Sequence, residues 1–173
     1  MIKHQSVGSF KSNWQPGSLS REWVDRYIDL AAKVASWSKD PSTKVGAVLI
    51  RDYDKSIASC GFNGFPRGDE DRPEDYLNRD LKLMKVVHAE TNVFNFCKED
   101  TRGFILFTYP FAPCPGCAGT IIGKHIKEVY YPPMDEAQAL RWHDKMTVAL
   151  SMFKNAGVKT FCVYPDKIVE NVC

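Results

Sequence analysis

Two short segments, His88-Ala89-Glu90 and Pro113-Cys114-Pro115-Gly116-Cys117, constrain this chain more than any other feature. Taken together they require a fold that brings two separated stretches to one centre. Zinc favours four ligands drawn from thiolate, imidazole and carboxylate. A structural site fills all four with protein groups, whereas a catalytic site keeps one for water. Cys114, Cys117 and His88 supply three, and no neighbouring Cys or His completes a fourth. The pattern therefore predicts a zinc site with an open position. Water bound at such a site drops in pKa from ~15.7 to ~7, which makes hydroxide available at neutral pH.

The local sequence predicts how each segment is presented. Pro115 suits the first position of a helix, where the missing N–H costs nothing. Ala118 to Ile122 can continue that helix, and a helix N-terminus favours the thiolate form of Cys114 and Cys117. His88 and Glu90 stand where a second helix begins, running through Asn92, Phe94 and Phe96. Residues two apart do not face the same way on a regular helix. The site is therefore expected over the helix end, where both side chains can reach it. Glu90 is read as a proton carrier and not as a ligand. Standing alone, Cys-x-x-Cys would fit a structural half-site or a redox pair, and a lone His would fit a cap. The combined order favours a catalytic metal.

The 173 residues fit one domain with a substantial core. Charge is nearly balanced, with 23 Lys+Arg against 21 Asp+Glu. No basic run interleaved with aromatics appears, so a small-molecule substrate is favoured over a polynucleotide. No stretch is apolar and long enough to cross a membrane, and Met1 to Ser6 lacks the apolar core of a signal peptide. Cys60, Cys97 and Cys162 lie in apolar contexts and read as thiols rather than disulfide partners. That usage predicts a reducing cytoplasm.

Residues 1–19 read as an N-terminal arm, 20–165 as the catalytic domain and 166–173 as a C-terminal tail. Ser20 is expected to cap a helix whose apolar positions run from Trp23 to Ala35 and which ends before Asp40-Pro41. Val45–Ile50 and Ile57–Phe62 read as a hairpin around Asp52 to Lys55. Gly61, Gly64 and Gly68 are expected to allow tight turns and close backbone approach to a ligand. Asp69, Glu70 and Asp71 read as a solvated acidic stretch. Tyr76–Lys85 reads as a short helix. Phe104–Tyr109, Glu128–Tyr131 and Val158–Tyr164 read as strands, with a long helix over Ala137–Ala156 closed by Gly157. The expected order is α-β-β-α-β-α-β-α-β. This predicts an α/β fold, a single-domain three-layer α-β-α sandwich around a central five-stranded mixed sheet.

With these residues in place, the chain resembles the zinc-dependent cytidine deaminase superfamily, whose signature the two segments match. It is most similar to the deoxycytidylate (dCMP) deaminase family, phage members included. The likeness spans roughly Arg21 to Tyr164. It rests also on Ser38 to Val48, on Gly61-Phe62-Asn63-Gly64-Phe65-Pro66-Arg67-Gly68 and on Ile126 to Val129. The second of these points to the nucleotide-using branch. The resemblance implies hydrolytic deamination of dCMP to dUMP and ammonia by a zinc-bound hydroxide, with dUMP supplied for thymidylate synthesis. His88, Cys114 and Cys117 would hold Zn2+ and Glu90 would move protons.

It also implies substrate contacts. Asn63 would meet the deoxyribose, and the Ala89 N–H with a carbonyl near Pro113 would read the pyrimidine edge. Lys44 and Arg67 are candidate phosphate contacts, and Tyr109 and Phe111 candidates to stack on or cover the base. Relatives imply a homo-oligomer, dimer or hexamer, for which Trp142 and Met146 offer a contact face, and dCTP and dTTP as candidate effectors. Many relatives carry Gly where His125 stands, so His125 is expected on the surface. His4 and His143 have no partner visible in the sequence. Two rivals stay open. One is a zinc deaminase for another substrate (dCTP, cytidine or deoxycytidine, a tRNA adenosine or a pyrimidine of riboflavin synthesis). The other is a non-catalytic zinc-stabilised binding module.

Overall fold

The structure, a computed structural model, describes residues 19–171. Almost all of the expected arm, together with His4 and Cys173, lies outside the described residues. Leu19, placed in the arm by sequence, is already a core residue, 2% exposed.

The chain runs α1 (Arg21–Ala35), β1 (Gly46–Ile50), β2 (Ile57–Phe62), α2 (Pro73–Leu77), α3 (Arg79–Lys85), α4 (Ala89–Phe96), β3 (Ile105–Tyr109), α5 (Pro115–Gly123), β4 (Glu128–Tyr131), α6 (Glu136–Asn155), β5 (Lys159–Val163) and β6 (Ile168–Glu170). The sheet has the order β2-β1-β3-β4-β5-β6. β3, β4 and β5 are parallel, while β1 is antiparallel to both β2 and β3, and β6 is antiparallel to β5. The expected mixed sheet and three layers are present, with six strands among the described residues instead of five. The extra strand falls in the segment read as a tail. Its three residues are half-buried or exposed, so no run of apolar positions marks it.

Strand alternation divides the core in two. Val48, Ile50, Ile105, Phe107, Tyr130 and Phe161 face α1. Ala47, Leu49, Leu106 and Val129 face the layer of α4, α5 and α6. On the first face Phe107, Tyr130 and Phe161 form a stacked row across three neighbouring strands, with ring centroids 4.9 and 4.6 Å apart. Thr108, buried on the other face of β3, donates to the Phe111 carbonyl at 2.9 Å and sets the path of the chain toward α5.

One helix break was missed by periodicity. Tyr76–Lys85 is not one helix, because Asn78 breaks it and its side chain accepts the Leu81 N–H to start α3. The long helix α6 starts at a capping box in which the Asp135 carboxylate accepts from Gln138 N–H and the Gln138 side chain answers. His125 has φ +55° and is exposed. Glycine adopts that left-handed conformation without strain.

Candidate zinc and nucleotide site

Two helix N-termini meet at the site. His88 is the N-cap of α4, its carbonyl accepting from Thr91 and Asn92 N–H at 3.1 and 3.0 Å. Cys114 is the N-cap of α5, with Pro115 at the first helical position and Ala118 N–H on its carbonyl at 2.8 Å. Cys117 follows within the first turn. As expected, the side chains converge over helix ends. The connection into His88 is fixed by a two-bond bridge between Val87 and Gly64, 2.8 and 3.1 Å. Asn92 adds a bond from its amide to the Phe62 carbonyl at 2.8 Å, which ties α4 to β2.

His88 Nδ1 lies 3.3 Å from Cys117 Sγ and 3.5 Å from Cys114 Sγ. The three donor atoms all fall within 4.8 Å of one another. Tetrahedral zinc with bonds of ~2.0–2.3 Å separates its ligands by roughly 3.3–3.8 Å. The His/Cys/Cys set therefore fits zinc in both spacing and chemistry. Hydrogen bonding with Cys117, then with His88, pulls the Cys114 thiol down to about 4. The Cys117 thiol is pushed up, first by that same bond and then by burial. His88 is raised, chiefly by its bond to Cys114. These groups share protons that a bound metal would displace. Glu90 is 5% exposed. Burial raises its pKa, and its carboxyl meets the Cys117 thiol and its own N–H.

The metal set opens onto a cavity of about 320 Å³, within the ~300–1,000 Å³ range of small-molecule sites. Of the residues singled out by sequence, His88, Ala89, Glu90, Cys114, Asn63 and Phe111 line it. Four candidate substrate contacts, Lys44, Arg67, Tyr109 and Pro113, are placed elsewhere. Lys44 donates to the Ser38 carbonyl at 2.6 Å. The Arg67 guanidinium sits over the Phe96 ring at 4.2 Å, in a separate pocket with Phe62 and Asn95. Tyr109 lines a third groove beside Arg21 and Tyr164. Pro113, though buried, is not on the cavity wall. Asn63 reaches the wall with its amide already engaged. Oδ1 accepts from Val45 N–H at 2.7 Å and Nδ2 donates to the Thr43 carbonyl at 2.9 Å. It braces the loop around the cavity.

Sequence reasoning missed Arg79, Lys82, Arg141 and Trp142, which all line the cavity. Arg79 and Arg141 have no carboxylate partner among the described residues, while Arg141 Nε donates to the Ala137 carbonyl. Trp142 and Met146 do not form an exposed contact face. Met146 is 3% exposed, and Trp142 tilts against Phe111 with centroids 5.8 Å apart. One signal was available: Arg79, Lys82, Leu83 and Val86 recur at the spacing of one helical face.

Residues 21–132 match the cytidine and deoxycytidylate deaminase zinc-binding region. The chain is 43% identical over 138 residues to an uncharacterized deaminase of the luxG 3′ region of Aliivibrio fischeri, covering 80% of this chain and 91% of that protein. It is 35% identical over 154 residues to the deoxycytidylate deaminase of Mus musculus, covering 84% and 82%. In fold it is similar to the dCMP deaminase of cyanophage S-TIM5 solved with dCMP and dUMP. That likeness has a TM-score of 0.63 and 23% identity, and covers 84% of this chain and 99% of that one.

Proposed function

This chain belongs to the cytidine and deoxycytidylate deaminase family, and from that premise we propose that it hydrolyses dCMP to dUMP and ammonia. The observation that carries the reading is the buried Glu90 carboxyl in contact with Cys117 of a zinc-spaced His88–Cys114–Cys117 set, at the wall of a nucleotide-sized cavity. The named deoxycytidylate deaminases among its relatives support dCMP as substrate.

His88, Cys114 and Cys117 would hold the ion. Zinc bound there supplies Lewis acidity that lowers the pKa of a water to ~7. Glu90 takes a proton from the water as its oxygen attacks C4 of the pyrimidine, and delivers it to the ring N3. The same carboxyl moves the second proton from that oxygen to the amine. The C4–N bond then breaks and ammonia leaves, so water and dCMP give dUMP and ammonia in balance. Glu90 is suited to this because it is buried on the cavity wall beside the donor set and is not itself one of the three ligands. The Ala89 N–H, at the start of α4, would read the edge of the base, and Phe111 with Trp142 forms the apolar wall beside it. In this reading Arg79 and Arg141, rather than Lys44 and Arg67, meet the phosphate, because they are cavity-wall cations without a carboxylate partner among the described residues, whereas Lys82 is paired with Asp40.

The same proposal includes a homo-oligomer, dimer or hexamer, supported by the exposed Leu77, Met84 and Leu140. It includes dCTP and dTTP as effectors. It places the enzyme in the cytoplasm, supported by the five free cysteines of the described residues. Among the described residues, no helix is long and apolar enough to cross a membrane. The test is a panel of dCMP, CMP, dCTP, deoxycytidine, cytidine and a tRNA adenosine stem-loop followed by ultraviolet absorbance, with and without dCTP. Preference for dCMP is expected. Faster turnover of deoxycytidine or of the stem-loop would overturn the substrate assignment.

A further inference from the structure

The cavity wall formed by α3 is held in an unusual way. Arg79, Lys82, Leu83 and Val86 present one helical face to the cavity. Yet α2 and α3 pack chiefly on each other and make little contact with the sheet or the other helices. Leu77, Leu83 and Met84 on these two helices are exposed. Apolar contact reaches this region through α2, where Tyr76 is 4% exposed and stacks on Phe65 with ring centroids 4.1 Å apart. On α3 itself the one buried residue is Lys82, and the fixed points are ion pairs. Lys85 pairs with Asp69 and Asp75 at 2.9 and 3.1 Å within the same region of chain. Lys82 is different, because its partner belongs to a distant segment of the chain that also lines the cavity. Its ammonium lies 3.1 Å from Asp40 Oδ1 and 3.0 Å from Ser42 Oγ, and the side chains of the pair are only 9% and 6% exposed.

Asp40 is itself a fixed point. Its Oδ1 accepts the Ser42 and Thr43 N–H groups at 2.7 and 3.3 Å, and its Oδ2 faces the Asn63 amide at 3.5 Å. Asn63 in turn is locked to Val45 and Thr43. One carboxylate thus joins a weakly packed helix to a rigid loop, and α3 leads within three residues of its end to His88. We infer that the Lys82–Asp40 ion pair is a clasp that positions the α3 wall, and with it Arg79, for the substrate's phosphate. Lys82 is a positioning residue and not a phosphate contact, since Asp40 already neutralises its charge. The inference rests on the nucleotide reading above only for what Arg79 meets.

The test compares Lys82→Met with a Lys82→Met/Asp40→Asn double variant. The second leaves no unpaired buried charge and so keeps the fold if the first does not. Misplacement of a binding group by ~1 Å can cost on the order of 100-fold. kcat/KM for dCMP is therefore expected to fall ~10–100-fold in the folded variants, carried by KM, with kcat within about threefold and zinc content unchanged. Preference for dCMP over deoxycytidine shrinks with it. Amide hydrogen exchange over residues 79–87 speeds up, while α4 and α5 stay protected. A folded double variant with wild-type KM overturns the inference. If the wild-type protein ignores dCMP, the nucleotide reading has failed, and exchange alone decides the clasp: unchanged protection of 79–87 removes it.

Discussion

A Cβ built on Gly61 would stand 2.5 Å from the backbone nitrogen of Val93 and 2.8 Å from the carbonyl oxygen of Ala89. Helix α4 therefore rests on β2 with only a hydrogen between them, and that contact sets where His88 and Glu90 emerge. Gly61→Ala is expected to push α4 off the sheet and to cost ~1–3 kcal/mol, as overpacking does. Bound zinc per chain should fall as well, because the donor set is displaced. Gly119→Ala, in α5 with nothing near its Cβ position, is the control and should stabilise by ~0.5–1 kcal/mol. Thermal denaturation and metal analysis read both. A Gly61→Ala protein with wild-type Tm and zinc content would show that the contact relaxes freely.

Glu90→Gln removes the proton carrier while keeping its shape. General acid–base groups contribute ~10²–10⁴-fold, so turnover of dCMP should drop by at least that factor. Zinc content should not change, because Glu90 lies outside the His88–Cys114–Cys117 set. The Tm should hold or rise, since a buried carboxylate costs free energy that a neutral amide does not. Activity within tenfold of wild type would remove Glu90 from its role.

The metal set was legible in the sequence because its residues are chemically distinctive and Pro115 fixes the helix start beside them. The three-layer fold was legible because β1, β3 and β5 are apolar runs, buried on both faces. The cavity wall was legible in part: Asn63, Ala89 and Phe111 line it, and the expected cations do not. Lys44 and Arg67 sit in the stretches that resemble relatives, yet the backbone aims one at Ser38 and the other at Phe96. Gly61 was read as room for a ligand, and the room is taken by α4. The cations on the cavity wall come from α3 and α6, which are brought together only by the sheet crossovers. β6 and the α2–α3 break depend on a tight turn and a single Asn78 cap, features that leave no periodic trace.

Zinc would tie the N-termini of α4 and α5 together, so its removal should loosen both. A ligand present at about 1,000 times its Kd stabilises the folded state by ~4 kcal/mol. For a chain of this size that is on the order of 10 °C in Tm. A strong chelator should therefore lower the Tm by that amount, and added zinc should restore it. Cys114→Ser and Cys117→Ser should start at the lower Tm and respond little to chelator. Identical melting of the wild-type protein with and without chelator would separate the metal from the fold.

Arg79 and Arg141 approach the cavity from different helices, and neither is neutralised by a carboxylate among the described residues. A charged hydrogen bond contributes ~1.5–3 kcal/mol, which is about 10- to 150-fold in affinity. Arg79→Ala and Arg141→Ala should each raise KM for dCMP by at least about tenfold. Neither should raise KM for deoxycytidine, which has no phosphate to lose. The double variant should therefore approach equal use of the two substrates. Raising the salt concentration should weaken dCMP use by the wild-type enzyme and hardly affect the double variant, because the screened attraction is already gone. Steady-state kinetics on both substrates at low and high salt measure this. An equal KM rise for dCMP and deoxycytidine would mean that the two arginines shape the cavity instead of reading the phosphate.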